Sequence, residues 1–363
     1  MQQAKFVMVS ISIIIPIYNT EPYIRRCLES VMAQDAVGAD VECILVDDCG
    51  QDRSMDVVSD MLSSYQGAIR FRIVSHTRNM GLSMARNTGV QAATGDYVLF
   101  VDSDDHLASD ALSYMVNHLQ RYPGVDVVVG NTQNVKDGNL LQTKWQEPVC
   151  IDNPTVSYRM MLRRDINHYA WNKLIRRQLL SDHQILFIKG IIYEDSPWTY
   201  RLFTCADSVL LLPQVTYVYE DNPASIVNTT YTAENAETAV RSYTIAVNDV
   251  LDHPPVAGRY HDNVTVDYLL YACYVLMKGV DLTMNFSLPD SVARDFRMAC
   301  WRLMRCSLRS GRLLLSLFFC LLFTPLNQVQ RLRFFRHNYQ KIERLVCSLA
   351  HLTDFLHSKN HQR

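Results

Sequence analysis

Three carboxylates fall within four consecutive positions, Asp102, Asp104 and Asp105, separated only by Ser103. They end an unbroken apolar run, Tyr97 to Val101, that has the length and composition of a strand buried on both faces. Like charges this close repel each other. At the carboxyl end of a strand in an open α/β sheet, where ligands gather, such an oxygen-only donor set suits a hard divalent cation, Mg²⁺ or Mn²⁺, which would in turn hold phosphates. The competing reading is a turn capping a helix that begins near Ser109, because Asp and Ser favour both places.

Other residues carry chemistry at similar places. Asp48 follows a second apolar run, Val41 to Val46, and a carboxylate there can accept hydrogen bonds from an imide or a hydroxyl; the alternative is a turn before Ser54. Arg86 comes shortly after Gly81 on a helix start, where a cation can meet phosphate or form a buried ion pair. Glu194 and Asp195 lead into an aromatic helix with Pro197 just inside it. A carboxylate so placed can take the proton of an attacking hydroxyl, although the helix dipole alone accounts for two acids there. Trp171, followed by Lys173, offers an aromatic face for a ligand or simply packs under the sheet. Pro16 and Tyr18 close the first strand.

These residues need a scaffold. Ser12 to Ile17 is a β-branched run that Pro16 brings to its end, and Ile24, Cys27, Leu28 and Val31 follow with helical spacing. A helix from Ser54 to about Tyr65 and a strand from Phe71 to Ser75 continue the alternation. The expectation is therefore an α/β fold with a mainly parallel, doubly wound sheet and flanking helices. Further along, Asp110 to Leu119 reads as a helix and Val125 to Val129 as a strand. Lys136 to Asn139 reads as a hairpin turn between Val127 to Val135 and Leu140 to Trp145, residues 155 to 180 as two helical pieces, and the chain beyond Tyr231 as helical.

The totals set limits. The 363 residues are 48% hydrophobic with a net charge of -2, which allows a sizeable core. From Arg294 onward there are 13 Lys and Arg against 3 Asp and Glu, a net +10, leaving 22 against 34, a net -12, for residues 1–293. The 10 cysteines form no Cys-x-x-Cys pair, which argues against a zinc site or disulfide framework and for a reducing compartment. The apolar segment Phe6 to Ile17 reads as a strand rather than a signal peptide, so the cytoplasm is the expected location.

Four segments make a set in order and spacing: Ile14-Ile15-Pro16-Ile17-Tyr18-Asn19, Val46-Asp47-Asp48-Cys49-Gly50-Gln51-Asp52-Arg53-Ser54, Asn79-Met80-Gly81-Leu82-Ser83-Met84-Ala85-Arg86-Asn87-Thr88-Gly89, and Asp102-Ser103-Asp104-Asp105. The set resembles the nucleotide-sugar domain of family-2 inverting glycosyltransferases with the GT-A fold, a Rossmann-like architecture, over residues 12 to about 226. The resemblance implies a GT-A domain over 1–228 and a helical C-terminal region over 229–363. It implies donor contacts from Pro16, Tyr18, Asp48, Arg86, Asp102 and Ser103, with Asp48 on the base. Asp104 and Asp105 would lead in holding the metal, Asp195 would be the catalytic base, and Trp171, Lys173 and Glu194 would meet the acceptor. The chain departs from the family pattern after Tyr217-Val218-Tyr219, where Glu220-Asp221-Asn222-Pro223 stands in place of a cation. Lys173, Arg176 or Arg177 would then have to meet the diphosphate.

The basic tail interleaves arginines with apolar residues from Arg294 to Arg312 and continues into Leu313 to Phe323, too short to span a bilayer but able to lie in an interface. Peripheral membrane contact through 294–344, at the inner face of the cell membrane, is one expectation; a buried helix is the other. Nucleic acid is not an expected partner, since no nucleic-acid fold signature is present. The implied activity is transfer of a sugar from a nucleotide-sugar, a UDP-sugar above all, to a glycan or lipid-linked acceptor in surface-polysaccharide synthesis. Two rivals remain: a Mg²⁺-dependent phosphoryl or nucleotidyl transferase, which would call for a Gly-rich phosphate loop absent here, and a non-catalytic glycan- or membrane-binding protein of the same fold.

Overall fold

The computed structural model describes residues 8–35, 38–141, 145–162, 165–223, 225, 232–255, 269, 271–272, 275–276, 279, 282–283 and 285–309. The chain forms two compact units, one of Met1–Ser157, Ile166–Gly190 and Arg201–Thr229, the other of Tyr158–Asp165, Ile191–Tyr200 and Thr230–Arg363. In chain order the elements are β1 (Val9–Ile17), α1 (Glu21–Met32), β2 (Ala39–Asp47), α2 (Ser54–Ser64), β3 (Arg70–Ser75), α3 (Leu82–Ala92), β4 (Tyr97–Phe100), β5 (His106–Leu107), α4 (Ala111–Arg121), β6 (Val127–Asn134), β7 (Val149–Ile151), α5 (Pro154–Leu162), β8 (Lys173–Arg176), α6 (Arg177–Asp182), α7 (Asp195–Cys205), β9 (Val209–Tyr219), α8 (Ala233–Asp252) and α9 (Asp290–Arg309).

The first unit is built on a nine-stranded sheet ordered β3-β2-β1-β4-β8-β6-β9-β5, with β7 also on β9. Its first four strands are parallel neighbours, joined by helical crossovers as the alternating sequence requires. Beyond β4 the sheet becomes mixed, because β8 runs antiparallel to both β4 and β6 while β6 and β9 are parallel. Both faces of β1 are buried. Ile11, Ile13, Ile15 and Ile17 join Ile24, Cys27, Leu28 and Val31 of α1 in one core cluster, which is the helical face expected from their spacing. Ile14 meets α3 so closely that a Cβ on Gly89 would lie 2.2 Å from its Cγ2.

One polar tie crosses this apolar layer. The Glu42 carboxylate on β2 accepts from Ser12 Oγ of β1 at 2.6 Å and from Thr94 N, in the loop entering β4, at 2.7 Å. It therefore fixes the register of three neighbouring strands, satisfying polar groups that burial would otherwise penalise.

The segment 155–180 holds two helical pieces as expected, α5 and the start of α6, but a strand that was not expected lies between them. Between α5 and α6 the residues Lys173–Arg176 are strand β8, inserted between β4 and β6. Four residues are too few for a period to show, and pairing with two neighbours decides their conformation. The expected hairpin keeps its turn, with Gly138 N donating to Asn134 O at 2.9 Å. Among the described residues its second arm shows one bridge, Gln133 to Leu140, and residues 142–144 lie outside them.

In the second unit, α8 opens with a capping box in which Thr232 accepts from Asn235 N. It meets α9 through Arg302, whose guanidinium donates to Asn248 Oδ1 at 3.1 Å and pairs with Asp252. The expected apolar run Leu313 to Phe323, and most of the basic tail, lie outside the described residues. Among the described residues no helix is long and apolar enough to cross a membrane.

Candidate active site

The carboxylates after β4 converge: one oxygen each from Asp102, Asp104 and Asp105 lies within 4.8 Å of the others. Their surroundings are unequal. Asp102 pairs with the buried guanidinium of Arg86, Nη2 to Oδ1 at 2.8 Å, so the ion pair foreseen as one reading of Arg86 is formed within the site itself. Asp104 receives the Asn222 side-chain amide at 2.8 Å, while Ser103 is buried. Asp105, only 2% exposed, accepts from Tyr217 Oη at 2.8 Å on one oxygen and from Glu220 N at 2.9 Å on the other. Burial, and after it the charge of Asp102, pushes Asp104 above the usual carboxylate range. Burial, then Asp104 and Asp102, pushes Asp105 higher still. The all-oxygen donor set fits a hard divalent cation.

Asp48 sits one residue past β2 and is 2% exposed. Its Oδ1 lies 2.6 Å from His76 Nδ1 and accepts from Met80 N at 2.8 Å, while Oδ2 accepts from Gly81 N at 2.8 Å. It therefore braces the loop into α3, not the turn before Ser54, which is capped instead by Asp52. Gly81 takes φ +86°, a conformation open to glycine, and so delivers its N–H to the carboxylate. Neighbouring Pro16 belongs to β1 and Tyr18, 43% exposed, follows it.

Strained backbone marks the same places. Positive φ at non-glycine residues occurs at Asn19 after Tyr18, Cys49 after Asp48, Asn172 between Trp171 and Lys173, and Tyr193 before Glu194, and at one position away from the candidate residues, Gln184. Such conformations cost on the order of 1–3 kcal/mol and gather where side chains must be aimed.

Trp171 is 2% exposed and stacks on Tyr217 at 4.5 Å and 4°, with Tyr169 on it at 4.6 Å and 9°. Its indole is thus a packing element, and the ring of Tyr169, 40% exposed, is the accessible end of the stack. Lys173 is fully buried, its ammonium donating to Asn167 Oδ1 at 2.5 Å and Tyr169 O at 2.6 Å. The expected replacement phosphate cations are likewise engaged in structure: Arg176 pairs with Asp126 and Arg177 donates to Gly95 O. The acidic segment is accounted for as well, since Glu220 lies 3.1 Å from Arg26 and 3.2 Å from His106 while its backbone N–H serves Asp105.

In the second unit, Glu194 is 5% exposed and Asp195 opens α7, partly exposed. The preceding Tyr193 stacks on Tyr243 at 5.2 Å, and Ser196 O accepts from Tyr271 Oη at 2.9 Å, so the turn that carries the acids is held from α8 and from residue 271. Sequence reasoning missed His76, Tyr217 and Asn222. The clue for Tyr217 was its alternation with Tyr219 at a strand end; His76 and Asn222 show no sequence signal.

A nine-stranded mixed sheet with acids at the ends of β2 and β4 defines a GT-A fold, and comparisons with known proteins agree. The profile of Glycosyl transferase family 2 matches residues 12–184. The uncharacterized glycosyltransferase EpsJ of Bacillus subtilis is 30% identical over 260 residues, 70% of this chain and 74% of that one. The poly(ribitol-phosphate) beta-N-acetylglucosaminyltransferase TarS of Staphylococcus aureus is 28% identical over 214 residues, 58% of this chain but only 35% of that one. The crystal structure of S. aureus TarS 1-349 in complex with UDP shares the fold, with a TM-score of 0.62 at 19% identity, covering 92% of this chain and 91% of that chain. The chain belongs to glycosyl transferase family 2.

Proposed function

We propose that this chain is a metal-dependent, inverting glycosyltransferase that moves a sugar from a UDP-sugar to a hydroxyl of a glycan or lipid-linked acceptor in the synthesis of a bacterial surface polysaccharide. The observation that carries the reading is the gathering of Asp102, Asp104 and Asp105 after β4 in the unit where Asp48 follows β2. Ligand sites of open α/β sheets lie at such strand ends. Support for the donor class comes from TarS, whose crystal structures hold UDP and UDP-GlcNAc.

The cation site falls to Asp104 and Asp102, with Asp105, both of whose oxygens are already bonded, offering only its remaining lone pairs. A bound Mg²⁺ or Mn²⁺ supplies positive charge for the departing diphosphate. Asp48, braced by His76, and the neighbouring Pro16 and Tyr18 receive the base, while Arg86 acts by holding Asp102. Asp195 takes the acceptor proton as the new C–O bond forms and the bond to phosphate breaks, its electron pair leaving on the diphosphate, so the configuration inverts. Glu194 supports Asp195, and of the aromatic residues near β8 Tyr169 rather than buried Trp171 meets a sugar face. Action in the cytoplasm at the inner membrane face, through the basic segment 294–344, suits a lipid-linked acceptor.

The test is a thermal-shift screen of nucleotides and nucleotide-sugars with Mn²⁺. A bound ligand stabilises the native state by mass action, so a cation-dependent rise specific to UDP and UDP-sugars is expected. An equal response to adenine nucleotides would favour a phosphoryl or nucleotidyl transferase instead.

A further inference from the structure

We propose that Tyr217 is the positioning residue of the cation-binding loop: its hydroxyl, held in place by the stack on Trp171, ties down Asp102 and Asp105 so that Asp104 and Asp102 present oxygens to the ion while Asp105 remains a buried anchor. This rests on the metal-dependent reading above and assigns the parts within it.

The tie is specific in geometry. Tyr217 is fully buried, its ring parallel to the Trp171 indole, so the hydroxyl has little freedom to move. That hydroxyl accepts the Asp102 backbone N–H at 3.1 Å and donates to Asp105 Oδ2 at 2.8 Å, grasping both ends of the acidic loop. The next residues of the same strand end complete the cradle. Glu220 N takes the other Asp105 oxygen, and Asn222, itself accepting from Tyr23 Oη at 3.1 Å, donates to Asp104 Oδ2.

The loop is fixed on either side by other means. Val101 N donates to Ile14 O at 3.0 Å before it, and after it β5 pairs with β9, Leu107 opposite Tyr217. Removing the hydroxyl therefore leaves the strands in place and loosens the four residues between them, releasing Asp102 N and one Asp105 oxygen while the bonds from Arg86, Asn222 and Glu220 remain. A cation would then have to order those residues as it binds, and that cost appears as lost affinity. Groups that orient metal ligands typically contribute roughly 10–100-fold to affinity.

The experiment titrates Mn²⁺ into the full chain with saturating UDP and reads unbound Mn²⁺ by electron paramagnetic resonance, alongside UDP affinity and thermal melting in EDTA. Tyr217→Phe, which keeps the stack, is expected to weaken Mn²⁺ binding about tenfold or more while metal-free UDP binding holds. Asp105→Asn is expected to weaken Mn²⁺ far less than Asp104→Asn. Equal Mn²⁺ affinity in Tyr217→Phe and wild type overturns this inference alone, as does an Asp105→Asn loss as large as that of Asp104→Asn. A wild-type protein that takes up no Mn²⁺ overturns the metal-dependent reading and this inference together.

Discussion

His76 Nδ1 lies 2.6 Å from Asp48 Oδ1, and the other ring nitrogen lies 2.9 Å from Thr88 Oγ1. A neutral ring that donates to Asp48 and accepts from the Thr88 hydroxyl satisfies all three groups, and Asp48 is left to hold the Met80 and Gly81 N–H groups. The carboxylate assigned to the nucleotide base is thus also the clasp of the loop that leads into α3.

Asp48→Asn should therefore fail in two ways. An amide offers one acceptor oxygen where the loop uses two, leaving a buried N–H without its partner at a cost of about 1–3 kcal/mol. Thermal melting should fall by several degrees, and UDP affinity should fall with it. A variant that melts like the wild type would show that the clasp carries no stability.

Arg86 is 1% exposed, with its guanidinium carbon 5.2 Å from the Phe187 ring centre. Arg86→Leu leaves Asp102 unpaired. Breaking a buried pair by removing one partner costs roughly 3–5 kcal/mol, and the partial exposure of Asp102 places this case at the low end. Arg86→Lys should rescue only part of the loss, because an ammonium cannot both reach Asp102 and cover Phe187. Chemical denaturation of the three proteins checks the order; a fully restored midpoint in Arg86→Lys would contradict it.

Gly89→Ala tests the close approach of α3 to β1. The added Cβ would fall 2.2 Å from Ile14 Cγ2 and 3.2 Å from its Cγ1, so a strand side chain at the centre of the sheet must move. Overpacking of this kind costs about 1–3 kcal/mol, and because Ile14→Ala removes both γ carbons, the double variant Gly89→Ala, Ile14→Ala should recover part of what the two single losses would sum to. No recovery in the denaturation midpoint would mean the strain lies elsewhere.

Glu42 gives a pH prediction. Burial pushes its pKa up, but hydrogen bonds from Ser12 and Thr94, with the charge of Arg72, pull it further down, and the net value lies below that of a free glutamate. A group depressed on folding adds stability that is complete above its unfolded pKa, about 4.3, and lost as pH falls through the folded value. Urea midpoints of the wild type should therefore drop more steeply below about pH 4.5 than those of Glu42→Gln. Parallel acid limbs would rule this contribution out.

What could be read from the sequence was what depends on local pattern. A β-branched run closed by Pro16 located β1, apolar runs ending in acids located β2 and β4, and the spacing of Ile24, Cys27, Leu28 and Val31 predicted the buried face of α1. Lys173 shows the limit. In sequence it is a cation available for phosphate, yet its ammonium is buried against Asn167 Oδ1 and Tyr169 O, six and four residues earlier in the chain, in an irregular segment that no helical or strand period announces. Tyr217 is 112 residues from Asp105 in the chain, and no local pattern records a contact made across that distance.

The most direct measurement is calorimetric titration of UDP into the wild type and Asp104→Ala, each with Mn²⁺ and with EDTA. Mn²⁺ should tighten UDP binding to the wild type by tenfold or more and leave Asp104→Ala unchanged. UDP binding that ignores Mn²⁺ in the wild type, or an Mn²⁺ gain that survives in Asp104→Ala, would contradict a cation held between the acidic loop and the diphosphate.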